Sequence, residues 1–418
     1  MKISYSIIKV LIHYMLIYLL LTLNGAMIFV LHRNWILYFV VLLYGALCVL
    51  FNSSGKYNKK EPLLYVAFLL CAVFFVRVVS GGIGIDSWLL YAGQILIVYL
   101  CCFFDRDEFL NRFVILTVIM AAVSILCYMI QIFDRPLLLS LLKAENFTTL
   151  SDGRTFSYKG ILLYTLPTHI ESMRNTSFYS EPGRVQAMLH GALFCCLFMQ
   201  PYLKLSSKKL VTCVVILVIT VLTTQSTTGY IGLLILFVGF LIRKPDRLWK
   251  VYDSKIKKRI MFFVFLIGTF LAVDYIRNGA ASIIGTIVVG KISDTDVYDM
   301  ASSGGARIRM LAAALQQIVS KPWGAGTFSV SGNTAAGGLI RYIAIMGIVP
   351  GAVFLYWLLK PFAKRQLPFI ELIVYFALYI NIGIGQSYAY YPALLVIPIA
   401  LSYCIPNDNH NNNIAEQV

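Results

Sequence analysis

The sequence predicts an all-α membrane protein with about twelve transmembrane helices, and three observations lead to that fold class. Hydrophobic residues make up 59% of the 418 residues and charged residues only 13%, whereas a soluble domain is about a quarter charged. Apolar runs of roughly 20 residues, the length that a helix needs to cross the hydrocarbon core, recur from end to end. The runs are continuous rather than alternating, which favours helices that satisfy their own backbone hydrogen bonds.

Two long polar segments divide the predicted spans into groups. The spans lie at about 7–31, 35–51, 62–80, 87–104, 113–133, 186–203, 210–224, 228–242, 260–277, 339–359, 369–386 and 390–404. The regions are therefore spans one to five (1–133), a first long loop (134–185), spans six to nine (186–277), a second long loop (278–338), spans ten to twelve (339–404) and a polar tail (405–418). The first run lacks a small-residue cleavage site, so it predicts a retained span rather than a signal peptide.

The net charge of +16 comes from basic residues in short clusters between the apolar runs, such as 56–60, 204–209 and 243–259. This distribution argues against nucleic-acid binding and follows the positive-inside rule. Every cluster falls on one side if the chain starts inside, so both termini are predicted to be cytoplasmic and both long loops to face outward. The nine cysteines lie in or beside apolar runs, so neither a disulfide framework nor a zinc site is indicated.

The first loop ends in a polar motif that starts at Arg174. Pro182 suits the first turn of a helix, where its missing N–H would be unpaired anyway, and Ser180 or Glu181 can cap that helix. Glu181 is then a carboxylate held at the outer mouth of span six, where Arg174 and Arg184 would keep it ionised. The alternative is that Glu181 is only a helix cap.

The second loop contains a predicted amphipathic helix whose apolar stripe is formed by Ile308, Leu311, Leu315, Ile318 and Val319. We expect this helix to lie in the interface at the outer face of the membrane. Arg307 borders the stripe and can reach a phosphate there, the alternative being a snorkelling arginine without a ligand; Arg309 points away from the stripe. Pro322 stops the helix, and Gly324 and Gly326 allow a tight return toward span ten.

Three further places in or beside the predicted spans carry polar side chains. The hydroxyl-rich turn 223–230 either binds sugar or phosphate oxygens or is an ordinary turn and helix cap. Asp274 and Arg277 are three residues apart on one helix, so pairing with each other is the alternative to a role in binding. His13 lies within a span, where a lone histidine is typical of a packing residue. The scarcity of other mid-membrane charge favours chemistry at the outer surface.

The pattern Arg-x3-Phe-x2-Glu-Pro, formed by Arg174, Phe178, Glu181 and Pro182, resembles the O-antigen polymerase (Wzy-type) family. Three other stretches agree with that family in order and spacing. They are Ser-x-Thr-Gly-Tyr-x-Gly at 226–232, Gly-Ala-Arg at 305–307 followed by the amphipathic helix and Pro-x-Gly-x-Gly at 322–326, and the stretch 333–351 with its Gly-Ile-x-x-Gly ending.

The resemblance implies a GT-C-like polytopic glycosyltransferase that works at the periplasmic face of the bacterial inner membrane, in the biosynthesis of lipopolysaccharide or another polysaccharide. Such enzymes move a growing glycan from its undecaprenyl diphosphate carrier to the sugar of an incoming lipid-linked repeat unit. The implied partners are the undecaprenyl-diphosphate-linked oligosaccharide and membrane lipid, with a chain-length regulator and a flippase as further candidates.

The chemistry of this transfer assigns roles to loop residues. Diphosphate is a good leaving group, so its departure needs positive charge more than a general acid, and arginines supply it. The attacking sugar hydroxyl has a high pKa and benefits from a general base. We therefore predict an inverting, metal-independent transfer without a cofactor, with Glu181 as the base and His169 or His190 as its substitute. The candidate diphosphate and sugar contacts are Arg174, Arg184, Arg307, Arg309 and Arg277.

Two other functions stay open on these grounds. An O-antigen ligase would transfer the finished glycan to lipid A core, but ligases of this superfamily typically carry a histidine just before the span that matches span ten, where this chain has Asn333. A lipid-linked oligosaccharide flippase would need a cationic cavity at mid-depth, and most predicted spans lack charge there.

Overall fold

The computed structural model describes residues 2–22, 60–81, 85–142, 144–149, 155–161, 163–168, 174–179, 181–243, 254–279, 282, 303–326, 338–364, 367–385 and 391–404. Within these residues the chain forms 14 α-helices and one three-stranded sheet, so the prediction of a mostly helical protein is confirmed. Predicted span two and the predicted tail over 405–418 lie outside the described residues.

The elements follow one another in this order along the chain. They are α1 (Lys2–Thr22), α2 (Lys60–Ser80), α3 (Ile85–Phe104), α4 (Phe109–Phe133), α5 (Arg135–Leu141), β1 (Ala144–Thr149), β2 (Thr155–Ile161), β3 (Tyr164–Pro167), α6 (Pro182–Phe198), a 3-10 helix (Gln200–Tyr202), α7 (Ser207–Thr223), α8 (Thr227–Ile242), α9 (Ser254–Asn278), α10 (Ser303–Ser320), α11 (Gly338–Met346), α12 (Ile348–Lys364), α13 (Phe369–Gly385) and α14 (Pro392–Tyr403).

Most predicted spans that fall on described residues correspond to single helices. The prediction for span ten, at 339–359, was wrong, because that stretch forms two helices, α11 and α12. They meet at Gly347, whose φ of 95° lies in the left-handed region that favours glycine and interrupts a right-handed helix. The helix predicted in the second loop is present as α10, which ends at Ser320 just before Pro322.

Helix α6 is central to the packing of the bundle. Every residue from Val185 to Met199 is buried, and α6 packs against α4, α7, α8, α13 and α14. Helix α14 is buried along 392–401 and packs against α3 as well as α6. Five neighbouring helices therefore hold α6 in place.

Apolar side chains also cover much of the exterior. On α4, Leu126 and Phe133 are exposed, and on α9 the exposed side chains include Phe265, Phe270 and Ile276. By length and composition, α4 is the one helix among the described residues that is long and apolar enough to cross a membrane, and several shorter apolar helices accompany it.

The first long loop contains the short helix α5 and an antiparallel sheet, and this sheet is a departure from the predicted all-α fold. β2 is its central strand and pairs with β1 from Ala144↔Gly160 to Thr149↔Thr155 and with β3 from Tyr158↔Pro167 to Ile161↔Tyr164. Tyr164 and Leu166 are buried together with Leu138 and Leu142. The Tyr164 hydroxyl donates to Gln131 Oε1 of α4 at 2.8 Å, so the sheet is fixed to the end of that helix.

His13 is part of a charged cluster rather than alone in a span. Its Nδ1 lies 3.1 Å from Asp105 Oδ2, and Arg112 Nη1 lies 2.6 Å from the same oxygen. Burial alone would raise the pKa of Asp105, but the hydrogen bond and charge of His13 and the charge of Arg112 hold it below its usual value. The cluster joins α1 to the connection between α3 and α4.

Candidate functional site

Glu181 stands immediately before the central helix α6. Its backbone is extended, with φ of −136° and ψ of 135°, and Pro182 occupies the first helical position, as predicted. Its side chain makes no capping hydrogen bond and is 48% exposed. Glu181 therefore occupies the N-cap position by its backbone, while its carboxylate is not used as a cap and faces solvent beside the positive end of the helix.

Arg184 is the cation that accompanies Glu181. Its Nε lies 3.6 Å from Glu181 Oε2, and its side chain is largely buried. The two residues are three positions apart across the first turn of α6, where their side chains lie on the same face. The predicted neighbourhood of a carboxylate and a guanidinium is therefore present at the start of α6.

Tyr158 of β2 is a third member of this neighbourhood that sequence reasoning missed. Burial raises the pKa of its phenol, the Glu181 carboxylate raises it further, and the Arg184 guanidinium lowers it. Both charges therefore act on the Tyr158 phenol, which stays protonated at neutral pH because its pKa is raised. Strand residues about 20 positions before a motif carry no periodic signal toward it, so the sequence offered no way to find Tyr158.

The guanidinium of Arg174 is bound to backbone carbonyls of the protein itself. Its Nε donates to Thr224 O at 3.2 Å and its Nη2 donates to Gln225 O at 3.0 Å. These carbonyls lie in the turn after α7, so the guanidinium binds the protein's own backbone and caps a helix C-terminus. Arg174 therefore positions this turn, and its role as a diphosphate contact stays a prediction.

Asn175 holds the same segment from a second side. Its Oδ1 accepts hydrogen bonds from Ser124 Oγ at 2.6 Å and from the Ser177 N–H at 2.9 Å, and its Nδ2 donates to Thr223 Oγ1 at 3.0 Å. Ser177 and Gln225 are the two non-glycine residues with positive φ, 53° and 48°, in the part of the chain that the structure describes. Such backbone strain occurs where surrounding contacts impose it, often at functional sites.

His190 is also in a different position from the one predicted. It is fully buried, with Nδ1 2.8 Å from Gln186 O and Nε2 3.1 Å from Gly229 O. A Cβ at Gly232 would lie 2.4 Å from His190 Nε2, so the ring fills the contact between α6 and α8. His190 is therefore packed between α6 and α8 without exposure to solvent, which argues against the predicted role of substitute base.

The turn 223–230 is hydrogen-bonded to neighbouring helices of the protein. Thr224 Oγ1 accepts from Gln186 Nε2 at 2.8 Å and donates to Val221 O at 2.7 Å. Asn381 Nδ2 of α13 donates to Thr228 O at 2.8 Å. These contacts correspond to the ordinary-turn alternative. Together with the bonds of Arg174 to Thr224 O and Gln225 O, they place the start of the motif 174–182 beside the turn that leads into the motif 226–232.

The other two motifs also meet in space. Gly324 and Gly347 both have positive φ, 100° and 95°. A Cβ added at Gly324 would lie 2.6 Å from the carbonyl oxygen of Ile345, and one added at Gly347 would lie 2.6 Å from the carbonyl carbon of Trp323. Ile348 N–H donates to Pro322 O at 2.9 Å and Gly326 N–H donates to Ile345 O at 3.1 Å. The return after α10 is thereby docked onto the junction of α11 and α12.

The remaining predicted site residues are distributed as follows. His169 lies outside the described residues, and Arg307 and Arg309 lie in helix α10, but their side chains fall outside the described part. Arg277 is exposed in the last turn of α9, where Asp274 accepts a hydrogen bond from Asn278 Nδ2 at 2.7 Å. Among described residues, no group of three or more His, Cys, Asp or Glu is placed to hold a metal ion. Glu181, Arg184 and Tyr158 therefore form the site that the described residues define.

Comparison of the chain with protein-family models, with curated proteins and with solved structures gave no match.

Proposed function

We propose that this chain is a polysaccharide polymerase of the O-antigen polymerase type. It would join undecaprenyl-diphosphate-linked oligosaccharide repeat units at the periplasmic face of the bacterial inner membrane. The observation that carries the proposal is the state of Glu181, whose half-exposed carboxylate is not used for capping and lies 3.6 Å from the guanidinium of Arg184. The motif resemblance supports the identity of the substrate.

The proposed reaction is a single displacement. The acceptor sugar hydroxyl attacks the anomeric carbon of the growing glycan from the side opposite the diphosphate, so the configuration inverts. The new glycosidic bond forms as the bond between the anomeric carbon and the diphosphate oxygen breaks. Glu181 takes the hydroxyl proton, and undecaprenyl diphosphate leaves with the electron pair. Arg184 stabilises the negative charge of the diphosphate, with Arg307 as a further candidate cation.

The exterior of the protein supports a polytopic arrangement in the inner membrane. Exposed apolar side chains on α1, α2, α4, α8 and α9 suit contact with lipid tails. Lys204 lies between α6 and α7 and Lys208 lies in the first turn of α7, both at the opposite end of α6 from Glu181. Under the positive-inside rule that end is cytoplasmic and the Glu181 end is periplasmic.

One experiment tests the function and the base together. Purified protein in detergent receives undecaprenyl-diphosphate-linked repeat units, and the length of the glycans is followed on a gel. Wild-type protein should produce a ladder. Glu181→Gln should slow elongation by about 100-fold or more, because it removes the base while the backbone of the N-cap stays the same.

Glu108→Gln is the matched control. Glu108 pairs with Lys204 at the opposite end of the helices, so its loss should leave the elongation rate unchanged. Elongation by Glu181→Gln at the wild-type rate would overturn the assignment of the base. Wild-type protein that never lengthens the glycan would overturn the polymerase, and transfer only onto added lipid A core would identify a ligase instead.

A further inference from the structure

Two cysteines that lie 302 positions apart in the chain meet at one end of the helical bundle. Cys102 Sγ, in the last turn of α3, lies 2.8 Å from Sγ of Cys404, the residue that directly follows α14. Both cysteines are free thiols. A disulfide bond is about 2.0 Å long, so the two sulfur atoms need to approach by only about a further 0.8 Å to form one. The proposed transfer reaction makes no use of this pair.

Aromatic side chains hold the two helix ends together beside the thiols. The ring of Tyr403 contacts the ring of Tyr99 at 5.5 Å and the ring of Phe103 at 5.4 Å, both edge to face. The Cys404 N–H donates to Ala400 O at 2.8 Å, which continues the hydrogen bonding of α14 to this residue. Helices α3 and α14 also pack against each other. Packed helices therefore position both sulfur atoms.

The two thiols differ in their access to solvent. Cys102 is buried, whereas Cys404 is partly exposed. Thiol–disulfide exchange begins when a thiolate attacks an accessible disulfide, and it passes through a mixed disulfide. Cys404 is placed for that first attack. Cys102 is placed for the second, because its sulfur already lies beside that of Cys404. An accessible cysteine beside a resolving cysteine is the arrangement found in redox-sensing proteins.

We propose that Cys102 and Cys404 form a reversible redox pair, whose disulfide fixes the end of α14 to the end of α3. The oxidant is a low-molecular-weight disulfide of the glutathione type. The Cys404 thiolate attacks one of its sulfur atoms, forms a mixed disulfide and releases one thiolate. The Cys102 thiolate then attacks Cys404 Sγ and releases the second. Two protein thiols are thereby oxidised, one disulfide is reduced to two thiols, and these take up the protons that the protein thiols lose.

The position of the pair indicates that the reduced form is the resting one. Asp105 directly follows α3, so the pair stands at the end of the bundle that the topology proposed above places in the cytoplasm. Reductants keep thiols reduced there, and cytosolic disulfides are usually transient and redox-sensing. The chemistry of the pair itself does not depend on the polymerase activity.

The test maps disulfides in full-length protein in detergent after treatment with oxidised glutathione, alkylation of the remaining thiols and proteolysis. Wild-type protein should yield two peptides linked through Cys102 and Cys404, and dithiothreitol should separate them. In Cys102→Ser, Cys404 should instead carry glutathione, because the second thiol is missing. Cys101→Ser is the matched control. Cys101 is the neighbouring, equally buried cysteine of α3, and this variant should form the link as the wild type does.

Thermal unfolding in detergent gives a second measurement. The disulfide would close a chain loop of 302 positions and restrict the unfolded chain. Oxidised wild-type protein and oxidised Cys101→Ser should therefore unfold at a higher temperature than their reduced forms, whereas oxidation should not raise the thermal midpoint of Cys102→Ser. An unchanged midpoint in protein that carries the link would overturn the claim that the bond fixes α14 to α3.

Three results of the peptide mapping would overturn the pair. The first is wild-type protein in which both cysteines remain alkylated, and the second is wild-type protein in which Cys404 carries glutathione but no link forms. The third is a link that is lost in Cys101→Ser and kept in Cys102→Ser, which would assign the bond to Cys101. Neither measurement involves a glycan, so a failure of this proposal leaves the polymerase untouched, and the redox pair stands if elongation is never seen.

Discussion

Arg174 and Arg184 are two arginines of one motif that the structure uses differently. The fork of Arg174 is directed at two backbone carbonyls of the turn after α7. Arg184 instead lies beside the half-exposed carboxylate of Glu181. At the scale of the residue, the same chemistry therefore serves the fold in one case and the proposed site in the other.

Arg174→Lys and Arg184→Lys should separate these roles. A lysine ammonium has no planar fork, so Arg174→Lys should lose one or both carbonyl contacts and destabilise the protein by about 1–3 kcal/mol. Arg184→Lys should keep its thermal midpoint, because its ion pair with Glu181 is partly solvated and such pairs contribute little, but should elongate glycans more slowly. The measurements are thermal unfolding in detergent and the elongation assay. Equal thermal midpoints for the two variants would contradict the division of roles.

The break between α11 and α12 shows how a single element can escape prediction. The stretch 339–359 is apolar enough for one span, and Gly347 inside it resembles any glycine of a membrane helix. The helix ends there because the backbone of Trp323 and Gly324 packs directly against Gly347. Only a close approach from a distant segment requires the positive φ, so the local pattern did not reveal it.

Gly347→Ala should lower thermal stability by more than the unfavourable φ of an alanine there would do by itself. Its new Cβ would lie 2.6 Å from the backbone of Trp323, in addition to the cost of a side chain at φ of 95°. Gly81→Ala is the matched control, because Gly81 has φ of 73° but no atom within 4 Å of the added Cβ. We expect about 1 kcal/mol of destabilisation for Gly81→Ala and several times more for Gly347→Ala. Similar losses in thermal stability would show that the close approach is not tight.

The sheet in the first loop carried a readable sequence signal. Aromatic and hydroxyl side chains alternate through Thr155, Phe156, Ser157 and Tyr158, and an Asp-Gly pair at 152–153 precedes them. This composition is typical of a β-hairpin. The signal is weak beside long apolar runs, and the length of the loop did not by itself require a regular element.

At the scale of the whole molecule, α4 is proposed to run from one face of the membrane to the other. The helix has 25 residues and is therefore about 37 Å long, enough to cross the hydrocarbon core. Near its N-terminal end stand the Asp105 cluster and Lys204. At its other end stand α5 and the sheet that carries Tyr158.

Cysteine accessibility tests this orientation. Ser140 of α5 and Lys208 at the start of α7 are both exposed, and each can be replaced by cysteine in a variant without the native cysteines. With a membrane-impermeant maleimide, Ser140→Cys should be labelled in cells whose outer membrane is permeabilised, whereas Lys208→Cys should be labelled only after lysis. Labelling of both in unlysed cells would contradict the proposed topology and the periplasmic position of Glu181.

The sequence by itself determined the mostly helical fold, the boundaries of most helices and the position of Glu181 and Pro182 at the start of α6. These features depend on local composition, since the length of an apolar run and the fixed φ of a proline act within a few residues. Only the tertiary structure decided that Arg174 and His190 bind backbone carbonyls, that Tyr158 joins Glu181 and Arg184, and that α11 and α12 are separate helices. Those outcomes depend on contacts between segments far apart in the chain, whose energies no local pattern contains.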